Sequence, residues 1–154
     1  MSDVLSAIAT TSALTLTDTG LANALRKVGL QSQRRGLVVM VSDFVDDLKR
    51  LGDALSMHTG KGNEVILFRI EDPEERTFPY SGRAAFLGME KEGKLLGDAR
   101  DLRSAYLAAR QRHLDRLVET CRQHGCMMEE SPTDSALDAV LAGFLDSRLA
   151  LFRR

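Results

Sequence analysis

The sequence predicts an open α/β sheet of parallel strands with helices on both faces. Two short apolar runs, Leu37-Val38-Val39-Met40-Val41 and Glu64-Val65-Ile66-Leu67-Phe68-Arg69-Ile70, are continuous rather than alternating, as strands covered on both faces must be. Between them Phe44, Leu48, Leu51 and Leu55 recur at helical spacing, which reads as a helix with one buried stripe. Strand, helix and strand within about forty residues form a βαβ unit, with parallel strands and a right-handed crossover. Helical and strand-like stretches go on alternating along the chain, as expected of a layered α/β domain.

Residues 1–17 are rich in Ser, Thr and Ala, with weak alternation at Ala13-Leu14-Thr15-Leu16, and read as an arm or an edge strand. Asp18 or Thr19 can cap a helix with Leu21, Ala24, Leu25 and Val28 inward, and Gly36 is a suitable stop. After the second strand, the acidic stretch from Asp72 to Pro79 reads as a surface loop. Ala85-Phe86-Leu87 and Lys94-Leu95-Leu96 flank Glu92-Gly93 as a small hairpin. A long helix follows, from about Arg100 to His124, with Leu102, Tyr106, Ala109, His113, Leu117 and Cys121 along one face and Gly125 as its cap. Cys126-Met127-Met128 is a third strand. Ser131-Pro132-Thr133 opens a last helix with Leu137, Val140, Leu141, Phe144 and Leu145 inward.

Composition narrows the classes of function. The chain has 154 residues, 44% of them hydrophobic, enough for one domain with its own core. Its 21 basic and 22 acidic residues nearly cancel, which argues against a nucleic-acid binder, since that needs a basic surplus. Cys121 and Cys126 are too few for a disulfide framework and read as free thiols of a reducing cytoplasm. The N-terminus has Asp3 and no basic cluster, unlike a signal peptide, and no run nears the ~18 apolar residues of a membrane span. The expected location is cytoplasmic.

Asp43 is the leading candidate site residue. It follows a buried parallel strand, and open α/β sheets bind ligands outside the carboxyl ends of their strands. With the Ser42 hydroxyl and the nearby Asp46 and Asp47 it offers oxygen ligands to a hard divalent cation. The plainer reading has Asp46 or Asp47 capping the next helix and Asp43 ordering the turn. Thr19 is ordinarily a helix cap, and its hydroxyl can also serve a metal at the sheet edge. His113, Cys121, His124 and Cys126 fall within fourteen residues, but without a standard zinc spacing, and two of them share a core-facing stripe. Gly60-Lys61-Gly62 lacks the rest of a phosphate loop.

Thr19-Gly20-Leu21-Ala22-Asn23-Ala24-Leu25, Arg34-Arg35-Gly36-Leu37-Val38-Val39-Met40-Val41-Ser42-Asp43-Phe44 and Leu102-Arg103-Ser104-Ala105-Tyr106-Leu107 resemble the bacterial von Willebrand factor A-like proteins catalogued as domain of unknown function 58. The resemblance covers about Asp18 to Leu145. It implies a Rossmann-like three-layer sandwich of the von Willebrand factor A type, with residues 18–154 as the C-terminal part of one such domain. It implies a non-enzymatic protein-interaction module with a metal-ion-dependent adhesion site for Mg²⁺, and a MoxR-type AAA+ ATPase as partner. Matched residue by residue, Thr19 is the second-loop threonine of that site and Asp43 its third-loop aspartate, with Ser42 adjacent. The first-loop Asp-x-Ser-x-Ser has no counterpart, so the site is expected to be partial and the domain incomplete on its N-terminal side. Mg²⁺ is then expected only where another element supplies the missing loop. An incomplete sheet would also show an apolar edge at Leu37 to Val41, open to self-association unless Ala13 to Thr17 caps it. The alternatives are an Asp43-centred Mg-dependent enzyme or phosphoacceptor, and a fragment with no independent function.

Overall fold

A computed structural model describes residues 20–31, 34–87 and 94–152. The chain runs through α1 (Leu21–Gln31), β1 (Leu37–Ser42), α2 (Leu48–Gly60), β2 (Glu64–Glu71), α3 (Pro73–Thr77), β3 (Arg83–Leu87), β4 (Lys94–Asp98), α4 (Ala99–Gln123), β5 (Met127–Pro132) and α5 (Leu137–Phe152). The fold is mixed α/β. β1, β2 and β5 form one parallel sheet with β2 in the middle, and β3 and β4 pair as a separate antiparallel hairpin. The expected βαβ unit and hairpin are both present. The arm at 1–17, the cap at Asp18 or Thr19 and the turn at Glu92-Gly93 lie outside the described residues.

Register assigns the side chains to faces, because paired residues of a parallel sheet point the same way. Val38 and Met40 pair with Val65 and Leu67, and Met128 also pairs with Leu67. Against this first face pack Ala22 and Leu25 of α1, Leu48, Leu51, Ala54 and Leu55 of α2, and Leu117 and Cys121 of α4. Burying a leucine fully is worth roughly 1.5–3 kcal/mol, so this cluster dominates the stability. The second face is thinner: Ile66, Phe68 and Met127 meet Phe144 and Val140 of α5, with the Phe68 and Phe144 rings edge to face at 5.2 Å. An ion pair between Arg148 and Glu64 places the later turns of α5 beside the start of β2.

Several expectations are corrected. β1 was expected to be covered on both faces, but among the described residues only its first face is: Met40 is buried, whereas Leu37, Val39 and Val41 are 53, 49 and 63% exposed. α5 rests over β2 and β5, so Phe144 is buried but Leu137, Leu141 and Leu145 remain exposed. That helix starts later than predicted because Ser131 and Pro132 still belong to β5, paired with Ile70 and Glu71. The buried stripe of α1 is Ala22, Leu25 and Gly29, not the face with Val28, which is exposed. The small residues decide this: a Cβ on Gly29 would lie 2.8 Å from His58 Nε2, so α1 lies close against α2. The loop at Asp72 to Pro79 contains α3, with Asp72 accepting from Glu74 N and Pro73 at the first helical position. On α4, Ala109 is exposed and its neighbour Arg110 turns inward, because Glu71 lies opposite.

The amino-terminal end of the sheet is pinned by a polar cluster. His58, fully buried, donates from Nε2 to Leu25 O at 2.8 Å, which leaves Nδ1 to accept from Asn63 Nδ2 at 3.5 Å. Asn63 Oδ1 accepts from Gly36 N, and Lys61 Nζ donates to Gly29 O at 2.7 Å. Gly36 thus marks the entry to β1 rather than the end of α1. These bonds hold the end of α1 near the start of β2.

Candidate functional site

The Ser42-Asp43-Phe44 turn stands at the carboxyl end of β1. Phe44 has φ 58, a left-handed conformation rare for a bulky residue, and its side chain is nonetheless completely buried. Sequence spacing had placed it in α2, but it precedes that helix. Its N–H donates to Ser42 Oγ at 3.1 Å, and its carbonyl accepts from His113 Nε2 at 2.9 Å and Asp46 N at 3.0 Å. A local turn and the long helix α4 therefore share one carbonyl group. Above this anchor Asp43 is exposed, with Oδ1 accepting from Ser42 Oγ and Val45 N, both at 3.2 Å. Asp47 caps α2, accepting from Lys49 N at 2.9 Å and Arg50 N at 3.3 Å.

Asp46 is less settled. Oδ1 accepts from Asp47 N at 2.7 Å, while Oδ2 is buried without a hydrogen-bond partner. The carboxylate faces Gly20, where a Cβ would meet Oδ2 at 2.9 Å. Gly20 immediately precedes α1 and follows Thr19 in sequence, so the loop carrying Asp43 and the start of α1 meet at this end of the sheet. Thr19 itself lies outside the described residues. Among the described residues, no group of three His, Cys, Asp or Glu side chains is arranged to hold a metal ion.

Beside this turn lies a buried ion network that sequence reading missed. Glu71 Oε1 accepts from Arg69 Nη2 at 2.7 Å and from Arg110 Nε at 2.7 Å, with Arg110 Nη2 also in contact. Arg69 is only 7% exposed, and its Nε and Nη1 have no partner. Burial pushes the Glu71 carboxyl up, but the hydrogen bonds and charges of the two arginines outweigh it and hold the group below the usual range. Nearby Glu75 is raised, first by burial and then by the charges of Glu71, Asp72 and Asp43. The one legible signal was Arg69 and Glu71 two apart on a strand, hence on one face. Arg110, the second partner of Glu71, stands on α4 and had no such signal.

The possible zinc ligands are dispersed. His113 is bound to Phe44 O, His124 Nδ1 to Ser56 Oγ at 2.8 Å, and Cys121 is buried in the core. Burial raises the thiols, Cys121 to about 12, with a contribution from Cys126, and Cys126 to about 11. The Ser56–His124 pair lies by a groove between α2 and α4, but no carboxylate hydrogen-bonds that imidazole among the described residues. It lacks the third group that orients a base.

The family model described as protein of unknown function DUF58 matches residues 1–116. The chain belongs to this family. The match takes in both segments that converge by Gly20 and Asp46, the Ser42-Asp43-Phe44 turn and Arg110. No curated protein and no solved structure matches the chain. No helix among the described residues is long and apolar enough to cross a membrane.

Proposed function

We propose that this chain is a non-enzymatic protein-interaction module of the von Willebrand factor A type. It acts in the cytoplasm and offers the carboxyl end of its parallel sheet to a MoxR-type AAA+ ATPase. The observation that supports this best is the Ser42-Asp43-Phe44 turn. A buried phenylalanine and three hydrogen bonds to its backbone hold an exposed carboxylate in a fixed position. Pre-organisation of that kind lowers the ordering cost of binding a partner. Family membership and the parallel sheet agree with this reading, and the ATPase is named on the family resemblance alone.

In this proposal Thr19 and Asp43, with Ser42 adjacent, are half of a metal-ion-dependent adhesion site. The orphaned Asp46 Oδ2 would accept a cation, but the described oxygens fall short of the octahedral set Mg²⁺ requires. The residues described do not fit the ion unaided. What the chain itself supplies is a rigid acidic crest.

The test is binding of the whole chain to a MoxR-type AAA+ ATPase from the same genome, by biolayer interferometry at fixed salt. Asp43→Ala is expected to weaken saturable binding by about tenfold or more, as for an interface anchor. Asp146→Ala, an exposed acidic control on α5, should bind as the unaltered chain does. Equal binding by Asp43→Ala, or no saturation by ~100 μM, weaker than specific complexes normally are, would sink the proposal.

A further inference from the structure

We propose that Arg110 is the positioning residue of the Asp43 crest: it fixes the register of α4, and α4 holds the loops after β1 and β2 as one surface. The inference rests on the reading of Asp43 as a partner contact. Each of the two loops contains a phenylalanine in left-handed backbone, Phe44 at φ 58 and Phe78 at φ 46, and both side chains are buried. A bulky residue keeps that conformation only where its surroundings hold it there. One helix supplies a hold on each. Tyr106, Arg110 and His113 stand four and three residues apart on α4, hence on one face. His113 Nε2 donates to Phe44 O at 2.9 Å, and the Tyr106 ring lies 4.8 Å from that of Phe78. Arg103 adds a bond from Nη2 to Thr77 O at 3.0 Å, next to Phe78.

Arg110 sits between these holds, about 6 Å along the helix axis from Tyr106 and about 4.5 Å from His113. Its own tie is of another kind. Nε donates to Glu71 Oε1 at 2.7 Å, with Nη2 also in contact, and the same oxygen accepts from Arg69 Nη2 at 2.7 Å. Arg69 and Glu71 belong to β2, which is bonded on both sides by β1 and β5. Arg110 thus fastens the helix to the middle of the sheet. A planar guanidinium on a carboxylate fixes angle as well as distance, so this tie sets where Tyr106 and His113 fall. The loops it governs share one field. Burial raises the Glu75 carboxyl first, and then the charges of Glu71, Asp72 and Asp43, the last from the other loop. The Arg110 side chain is only 15% exposed, so its effect on a docked partner passes through the loops.

Each loop has its own reporter. Amide exchange at Asp46, whose N–H donates to Phe44 O at 3.0 Å, reads the first. Near-UV circular dichroism reads the second, because the two tyrosines, Tyr80 and Tyr106, both lie against Phe78 and the chain has no tryptophan. Arg110→Met leaves Glu71 its bond with Arg69. It is expected to speed exchange at Asp46 about tenfold, to reduce the tyrosine dichroism, and to weaken binding to the ATPase about tenfold. Glu71→Gln, which weakens the same tie from the strand, serves if that variant does not fold. His113→Leu should speed exchange at Asp46 and leave the tyrosine signal in place, since Arg110 still holds the helix; His113→Gln, whose amide can donate to Phe44 O, should restore the slow exchange. In the Asp43→Ala background Arg110→Met should cost little further binding, because it acts through Asp43. Losses that multiply, or an Arg110→Met chain in which only one loop or neither responds, overturn the proposal. Unchanged binding by Asp43→Ala alone would instead sink the reading of Asp43, and the two loop signals would still decide the role of Arg110.

Discussion

On one face of the sheet α1, α2 and α4 bury Leu51, Leu55, Leu67 and Leu117 completely. On the other, α5 covers Ile66 and Phe68 but leaves Leu37, Val39 and Val41 half in solvent. Both faces draw on the same three strands. The difference, among the described residues, is the number of helices delivered to each: three against one. Hydrophobic burial scales with area removed from water, so the first face holds the fold together and the second is where substitutions are tolerated and further surface can dock.

That contrast is broken most strongly at the carboxyl end of the first face. Glu71→Ala leaves the buried Arg69 and the partly buried Arg110 without their shared acceptor, and should cost about 3–5 kcal/mol in urea denaturation at neutral pH. A pH series sharpens the point. Because the Glu71 carboxyl is lowered in the folded state, its contribution is complete above the ordinary glutamate value. It is lost as pH falls through the lowered value, since the unfolded chain takes up the proton first. The unaltered protein should therefore lose stability on acidification from about pH 6 to pH 3, and Glu71→Ala should lose less over the same interval. An equal slope in both would remove Glu71 as the source.

Leu55→Ala comes next. It opens a cavity among fully buried neighbours and should cost about 2–5 kcal/mol by the same measurement. Val41→Thr on the second face should change stability by no more than about 0.5 kcal/mol, since the residue is 63% exposed. A cost at Val41 approaching that at Leu55 would mean β1 is covered on both faces in solution.

The sequence carried β1 and β2, the crossover between them, the hairpin and the long helix, because each rests on local periodicity. It misplaced what long-range packing decides. The stripe of α1 turns toward Gly29 because His58 and Met57 stand opposite, and periodicity cannot weigh a glycine that matters for its lack of bulk. Arg110 replaces Ala109 as the inward residue only because Glu71, far away in the chain, needs a second cation. β1 looked doubly covered since its composition matches that of β2, and composition does not count helices. At the site, Asp43 was legible from its place after a strand. The orphaned oxygen of Asp46 and the clasp between His113 and Phe44 depend on segments that meet only in the folded chain.

Position 44 makes two demands that few residues satisfy together. Its backbone favours glycine or asparagine, while its side-chain site is a closed apolar slot. Glycine would relax the first and hollow out the second; asparagine would leave a polar amide stranded there. A bulky hydrophobe under backbone strain is the remaining compromise. Phenylalanine at this place in a set of relatives would thus record a steric bargain of the turn itself, and its persistence would say nothing about what Asp43 binds.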